Sequence, residues 1–218
     1  MSLGFNFSSD SGEIIPIIKF NAKAGRMVRR DRVNGENDEV DITKIFKAVF
    51  DLENIEVGFI NFDTGSAPDF AVARIGEGPR QRPSDKHKQG ARILVRLAKD
   101  CGNDVRELAS TAKSFLMGLS ALHDAYEAGA KANPGKLPVV VLADPKPITT
   151  GEGTKRSTNY APVFEIVSWV ARPADLVFTS KGGAPTAPSR SETPPSTGST
   201  KVSADDNVPG FDDGEDFG

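Results

Sequence analysis

The chain has one cysteine, Cys101, and two histidines, His87 and His123, among its 218 residues. A lone cysteine excludes an intramolecular disulfide, and one cysteine with two histidines falls short of an ordinary structural zinc site. No apolar run approaches the roughly 20 residues of a membrane span, and the opening MSLGFNFSSD lacks both the basic start and the apolar stretch of a signal peptide. These absences lead us to expect a cytoplasmic protein with no membrane segment, no metal and no cofactor. Catalytic signatures are missing as well: there is no Walker-type phosphate loop, GxSxG elbow, HExxH or paired-cysteine motif. Asp63, Asp69 and Asp144 sit where loop aspartates ordinarily form turns, and His123 falls on a helical stripe. The expectation is a protein that is not an enzyme.

What is present is charge, unevenly spread. Residues 1–178 carry 24 Lys/Arg against 23 Asp/Glu, whereas 179–218 carry 3 against 7. Two stretches of the body are basic: 19–32 has six cations and one acid, and 74–99 has eight cations and two acids. Basic stretches on a near-neutral body point to an anionic partner, and the acidic end to a separate role.

From Thr179 the sequence TSKGGAPTAPSRSETPPSTGSTKVSA offers almost nothing to bury, which predicts a disordered linker over 179–204. The folded domain is therefore expected over 1–178, and an acidic partner-binding tail over 205–218. Within the body, EIIPIIKF, GRMVRR, IEVGFINF, DFAVARI, RILVRLA, LPVVVLAD and PVFEIVSWV are rich in β-branched and aromatic residues, which predicts roughly six or seven strands. DITKIFKAVF (41–50) has the spacing of a short amphipathic helix. Over 104–131, Leu108, Ala112, Phe115, Leu116, Leu119, Leu122 and Tyr126 recur at helical period, and Asn133, Pro134 and Gly135 end the pattern. The fold class expected is mainly β with one long helix: an oligonucleotide-binding (OB)-like β-barrel with an inserted helix, followed by a disordered C-terminal tail. A β-sandwich or an α+β sheet gives much the same string of elements.

Gripping single-stranded nucleic acid takes cations for the phosphates and flat rings on which unpaired bases stack. Both occur together here. KFNAKAGRMVRRDR supplies Lys19, Lys23, Arg26, Arg29, Arg30 and Arg32 beside Phe20. ARIGEGPRQRPSDKHKQGARILVR supplies Arg74, Arg80, Arg82, Lys86 and Lys88 in a Gly/Pro-rich loop that follows Phe70, then Arg92 and Arg96. Strand alternation puts Arg92, Leu94 and Arg96 on one face, with Ile93, Val95 and Leu97 on the core face, and sets Phe70 beside Arg74. A third segment, GEGTKRSTNYAP, brings Lys155, Arg156 and the stacking candidate Tyr160 on a long hairpin, whereas Trp169 reads as a core anchor. The bland alternative is that the rings are core and the arginines snorkel at its rim. The long helix lacks the basic face that would enter a major groove, which argues against specific duplex reading.

The last segment is DDNVPGFDDGEDFG. Asp205, Asp206, Asn207, Val208, Pro209, Gly210 and Phe211 resemble the Asp-Asp-Asp-Ile-Pro-Phe tip of bacterial single-stranded DNA-binding proteins, with a glycine inserted before the phenylalanine. Asp212, Asp213, Gly214, Glu215, Asp216 and Phe217 resemble the acidic, Phe-ended tails of phage single-stranded DNA-binding proteins, although Gly218 follows the aromatic here. The resemblance implies a sequence-independent protein that coats single-stranded DNA in replication, recombination and repair. It also implies an acidic tail that recruits partner proteins, and a homo-oligomer is compatible with it. A strand-annealing mediator, or an adaptor that binds no DNA, would share several of these features.

Overall fold

The computed structural model describes residues 15–181 except Asn34, Ser66, Pro79 and Gly151, and gives the backbone alone of Val33, Thr150 and Lys155. The linker from 182 onward and the tail expectations at Asp205, Asp206, Val208, Pro209, Phe211, Asp212, Asp213, Glu215, Asp216 and Phe217 lie outside the described residues. Ten strands and one α-helix run in the order β1 (Ile17–Asn21), β2 (Arg26–Val33), β3 (Glu36–Asp41), β4 (Lys47–Phe50), β5 (Glu56–Asn61), β6 (Asp69–Arg74), β7 (Lys88–Leu97), β8 (Val105–Ser110), α1 (Lys113–Ala130), β9 (Lys136–Thr150) and β10 (Ser157–Ala171). The expected class, mainly β with one helix, holds.

The strands form one mixed sheet in the order β10-β9-β4-β7-β8-β1-β2-β3, with β5 paired to β7 and β6 paired to β5. Among the described residues every strand pairing is antiparallel except β1 with β8. The sheet curls but does not close into a barrel. Its two halves meet at one backbone hydrogen bond, from Tyr160 N–H to the Ala22 carbonyl at 2.6 Å, rather than through a strand pair.

Alternation builds the core. In β1, Ile18 and Phe20 are buried while Ile17, Lys19 and Asn21 face outward. Ile93, Val95 and Leu97 of β7 and Leu108 of β8 bury on that same inner side with Met27, Phe50 and Val140. Helix α1 closes the core with Phe115, Leu119 and Leu122, each contributing about 1.5–3 kcal/mol by leaving water. Its close approach to β10 depends on glycine: a Cβ on Gly118 would sit 2.4 Å from the Pro162 carbonyl oxygen, and one on Gly129 would meet the Trp169 ring. Trp169 stacks on Tyr126 and anchors the helix.

Three elements differ from expectation. The segment 41–50 is a turn leading into β4, because Phe46, Ala48 and Phe50 bury at period two; Ile42, one helical turn before Phe46, made the pattern look helical. Residues 105–110 form a strand, and the helix starts only at Lys113; buried Leu108 continued the helical stripe by coincidence of spacing. β3, with the sequence ENDEVD, has too little apolar character to announce itself, being an exposed strand paired on one side only.

Candidate nucleic-acid interface

Strand register brings the separated basic segments together. Ile18 pairs with Leu108 and Ala91 with Ser110, so the end of β1 at Asn21, the end of β8 and the start of β7 at Lys88 share one end of the sheet. The β1–β2 turn with Lys23 and Arg26, the loop before β7 with Lys86, and the ring of Tyr160 beside Ala22 belong to that same rim. A hollow of about 500 Å³ opens there between Lys23, Arg26, Asp41 and Tyr160.

Tyr160 is half-buried over the turn. Gly25 adopts φ +65, and a Cβ there would sit 3.0 Å from the tyrosine ring, so the turn needs glycine both for its backbone and for the ring lying on it. Asn21 shapes the turn by accepting hydrogen bonds from the Lys23 and Ala24 amides through Oδ1. Thr43 donates to Asp41 Oδ1 at 2.6 Å, and that bond above all holds the Asp41 carboxyl below its ordinary range.

The lysines of the rim form no ion pairs with the described residues, although Glu39 and Asp41 line the hollow beside Lys23. Among the described residues, Lys19, Lys23, Lys86 and Lys88 are exposed and have no ion-pair partner, nor has exposed Arg156 on the β9–β10 hairpin. Arg26 meets Asp41 at 3.3 Å with 63% of its side chain exposed, a pair that contributes at most about 1 kcal/mol. Lys155 lies in the short turn Gly153–Lys155 at the tip of the same hairpin, so the expected long hairpin is present.

The loop between β6 and β7 is organised by its own side chains. His87, 4% exposed, places Nδ1 2.8 Å from Ser84 Oγ and Nε2 3.1 Å from Asp69 Oδ2. Arg82 donates to the carbonyls of Ser84, Asp85 and His87, so it braces the loop instead of projecting from it. Arg80 donates through Nε to the Val72 carbonyl on the unpaired edge of β6.

Away from the rim, the expected ligands are engaged within the protein. Phe20 is 3% exposed and packs on Phe115, so it offers no face for a base; the alternation of β1 turns it inward. Arg92 is 1% exposed. It donates to Glu56 at 2.5 Å and to Glu107 at 2.8 Å, making it the centre of a buried ion-pair cluster rather than a groove residue. Leu94, on the same face, is buried against Leu137 and Leu176. Arg96 is held by Asp175, and Arg74 by Glu77. Arg29 donates to Asp31 and to the Cys101 carbonyl, while Arg30 pairs with Glu39; of this group only exposed Arg32 lacks a carboxylate among the described residues.

The reason is a roof that composition does not reveal. Arg172 grips Asp51 and Glu53, and Leu176 fills the small core beneath. The Phe178 ring then lies 5.5 Å from the Arg74 guanidinium, and the Thr179 carbonyl accepts from Arg92. Ser180 donates to Glu56, and the Lys181 ammonium meets Glu107 at 2.8 Å and sits over the Phe70 ring. Phe70, expected to stack bases, thus carries a lysine of its own chain. Ordered contacts run three residues into the stretch read as linker. Two carboxylates, one guanidinium and one ammonium balance, which is how so many charges persist in a buried cluster.

Cys101 is buried, with its thiol donating to the Ile45 carbonyl, and burial pushes its pKa up, the opposite of an activated nucleophile. His123, Asp124 and Glu127 lie close together on α1, with the two acids exposed. No helix among the described residues is long and apolar enough to cross a membrane. No family model, curated protein or solved structure matches this chain.

Proposed function

We propose that this protein binds single-stranded DNA without regard to sequence, using the basic rim of the sheet, and serves in DNA replication, recombination and repair. The observation that carries the reading is the convergence of three basic segments, distant in sequence, at one end of the sheet, where Lys19, Lys23, Lys86 and Lys88 meet no carboxylate among the described residues and Tyr160 presents a ring. Cations free of internal partners can displace the counterions of a phosphate chain, and a half-exposed ring gives a base its stacking surface. The curled sheet with α1 at its opening is then an OB-like barrel left open between β10 and the β1–β2 turn. The acidic, Phe-containing segment 205–218 is read as the address for partner proteins, as its resemblance to single-stranded DNA-binding tails implies.

Fluorescence anisotropy with labelled oligo-dT, a duplex and an RNA of equal length tests the reading. Oligo-dT is expected to bind most tightly, with log K falling against log salt by about 0.7 for each phosphate neutralised. Binding to none of the three, or affinity indifferent to salt, overturns it.

A further inference from the structure

A second concave region lies between α1 and the inner face of β5 and β7, with a volume of about 570 Å³. One wall is Val57, Phe59 and Ile75, and the other is Leu116 and Leu119 of the helix. Val57 and Ile75 are 40% and 52% exposed, so apolar surface is left facing water at the mouth. Between the walls, Gly58 and Gly90 pair directly across β5 and β7, and that part of the lining is bare backbone.

Four polar residues line the cleft beside these apolar walls: Arg80, Gln89, Ser120 and His123. Gln89, Ser120 and His123 have no side-chain hydrogen-bond partner among the described residues, and the Nη atoms of Arg80 meet no carboxylate there. The ligand that satisfies such a set has a flat apolar body, a polar edge with donors and acceptors, and a single negative charge. A fatty chain would leave the amide, hydroxyl and imidazole unused, and an acidic peptide would find one cation where it needs several.

We propose that this cleft holds one nucleotide unit, its base between the apolar walls with its edge toward Gln89, Ser120 and His123, and its phosphate on Arg80. Gln89 adjoins Lys88 at the rim end of β7, so the cleft opens at the same end of the strand as the rim, on the face opposite the Lys88 side chain. The inference rests on the single-strand reading for the origin of the nucleotide; a free nucleotide has the same chemistry.

The test compares full-length wild-type protein with Ser120→Trp, which fills the mouth from an exposed helix position, and Gln89→Ala. The probes are oligo-dT, an abasic phosphodiester strand of the same length, and dTMP. Wild-type protein is expected to prefer oligo-dT over the abasic strand by about tenfold. Ser120→Trp should cut that preference to the part that stacking on Tyr160 supplies, with its circular dichroism unchanged, and Gln89→Ala should reduce it less. A preference undiminished in both variants overturns the cleft while leaving the single-strand reading intact. If neither strand binds, the single-strand reading falls, and thermal shift with dTMP decides the cleft. Stabilisation of wild-type but not of Ser120→Trp supports a free-nucleotide site; no shift in either overturns it.

Discussion

The rim of the sheet and its roofed half both carry several basic residues, in opposite chemical settings. In the roofed half, Arg74, Arg92 and Arg96 are each tied to a carboxylate, and residues 176–181 lie over them. At the rim, Lys19, Lys23, Lys86 and Lys88 stand exposed without carboxylate partners. Residue type follows the division only in part. Arginine, with a planar fork suited to carboxylates, dominates the internal clusters, with Lys181 the exception, while lysine, a flexible point charge, supplies most of the exposed cations of the rim, which also include Arg26. Basic residues in a sequence are therefore not interchangeable evidence of an anionic ligand; what separates them is whether the fold supplies a carboxylate.

The comparison breaks most sharply at Arg92. Replacing it with methionine leaves Glu56 and Glu107 buried with Lys181 as their remaining cation, so the expected loss of stability is about 3–5 kcal/mol. Urea unfolding measures it, and a loss below about 1 kcal/mol would show that the cluster relaxes toward water. At the rim the expectation reverses. The triple substitution Lys19→Ala, Lys23→Ala, Lys88→Ala should leave stability within about 0.5 kcal/mol for each site. It should weaken oligo-dT binding by roughly tenfold or more at low salt and flatten the salt slope by about 2. An unchanged slope would move the phosphate path elsewhere.

How much of this could be read in advance differs between fold and site. β1, β2, β5, β6, β7, β9 and β10 were legible because short runs with β-branched or aromatic residues mark them, and the later part of the expected helix because its apolar residues keep a helical period. β8 was lost because Leu108 stands one helical step from Ala112, and periodicity cannot show where one element passes into the next. At the site, Lys23, Lys88 and Tyr160 could be named from the sequence, but their meeting depends on a parallel β1–β8 pairing that no local pattern encodes. Arg92 was misread for a related reason. Alternation correctly set it opposite Ile93 and Val95, but which side is covered was decided by Leu176, Phe178 and Lys181, at the start of a stretch whose composition announces disorder. Gln89 and Ser120 gave no signal, being unremarkable polar residues until the fold sets α1 and the start of β7 on two sides of one cleft.

Tyr160 tests the rim more finely than the lysines do. Its ring lies on Gly25 while its edge faces the hollow beside Lys23 and Arg26. Tyr160→Ala should cost about 1–3 kcal/mol of oligo-dT affinity, the contribution of one stacked base, and Tyr160→Phe should retain most of the binding. Titration of both variants at one salt concentration separates a stacking ring from a hydroxyl contact. A loss shared by Tyr160→Phe would assign the effect to the hydroxyl.

The smallest effect expected concerns Asp31, which ties β2 to β8 on the inner side of the sheet. Arg106 donates to it at 2.7 Å, and Arg29 pairs with it at 2.7 Å. Burial alone would raise the Asp31 carboxyl, but hydrogen bonds from Arg29 and Arg106 outweigh it and hold the group below its ordinary value of 3.8. A carboxyl lowered by folding contributes stability that is complete above the unfolded value and disappears as pH falls through the folded one. Wild-type protein should therefore exceed Asp31→Asn in stability at neutral pH by under about 1 kcal/mol, since the pair is only partly shielded from water. That margin should shrink as pH drops below about 4. Paired unfolding curves at pH 7 and pH 3 measure the trend; a margin that widened in acid would mean that Asp31 is held by something other than its two arginines.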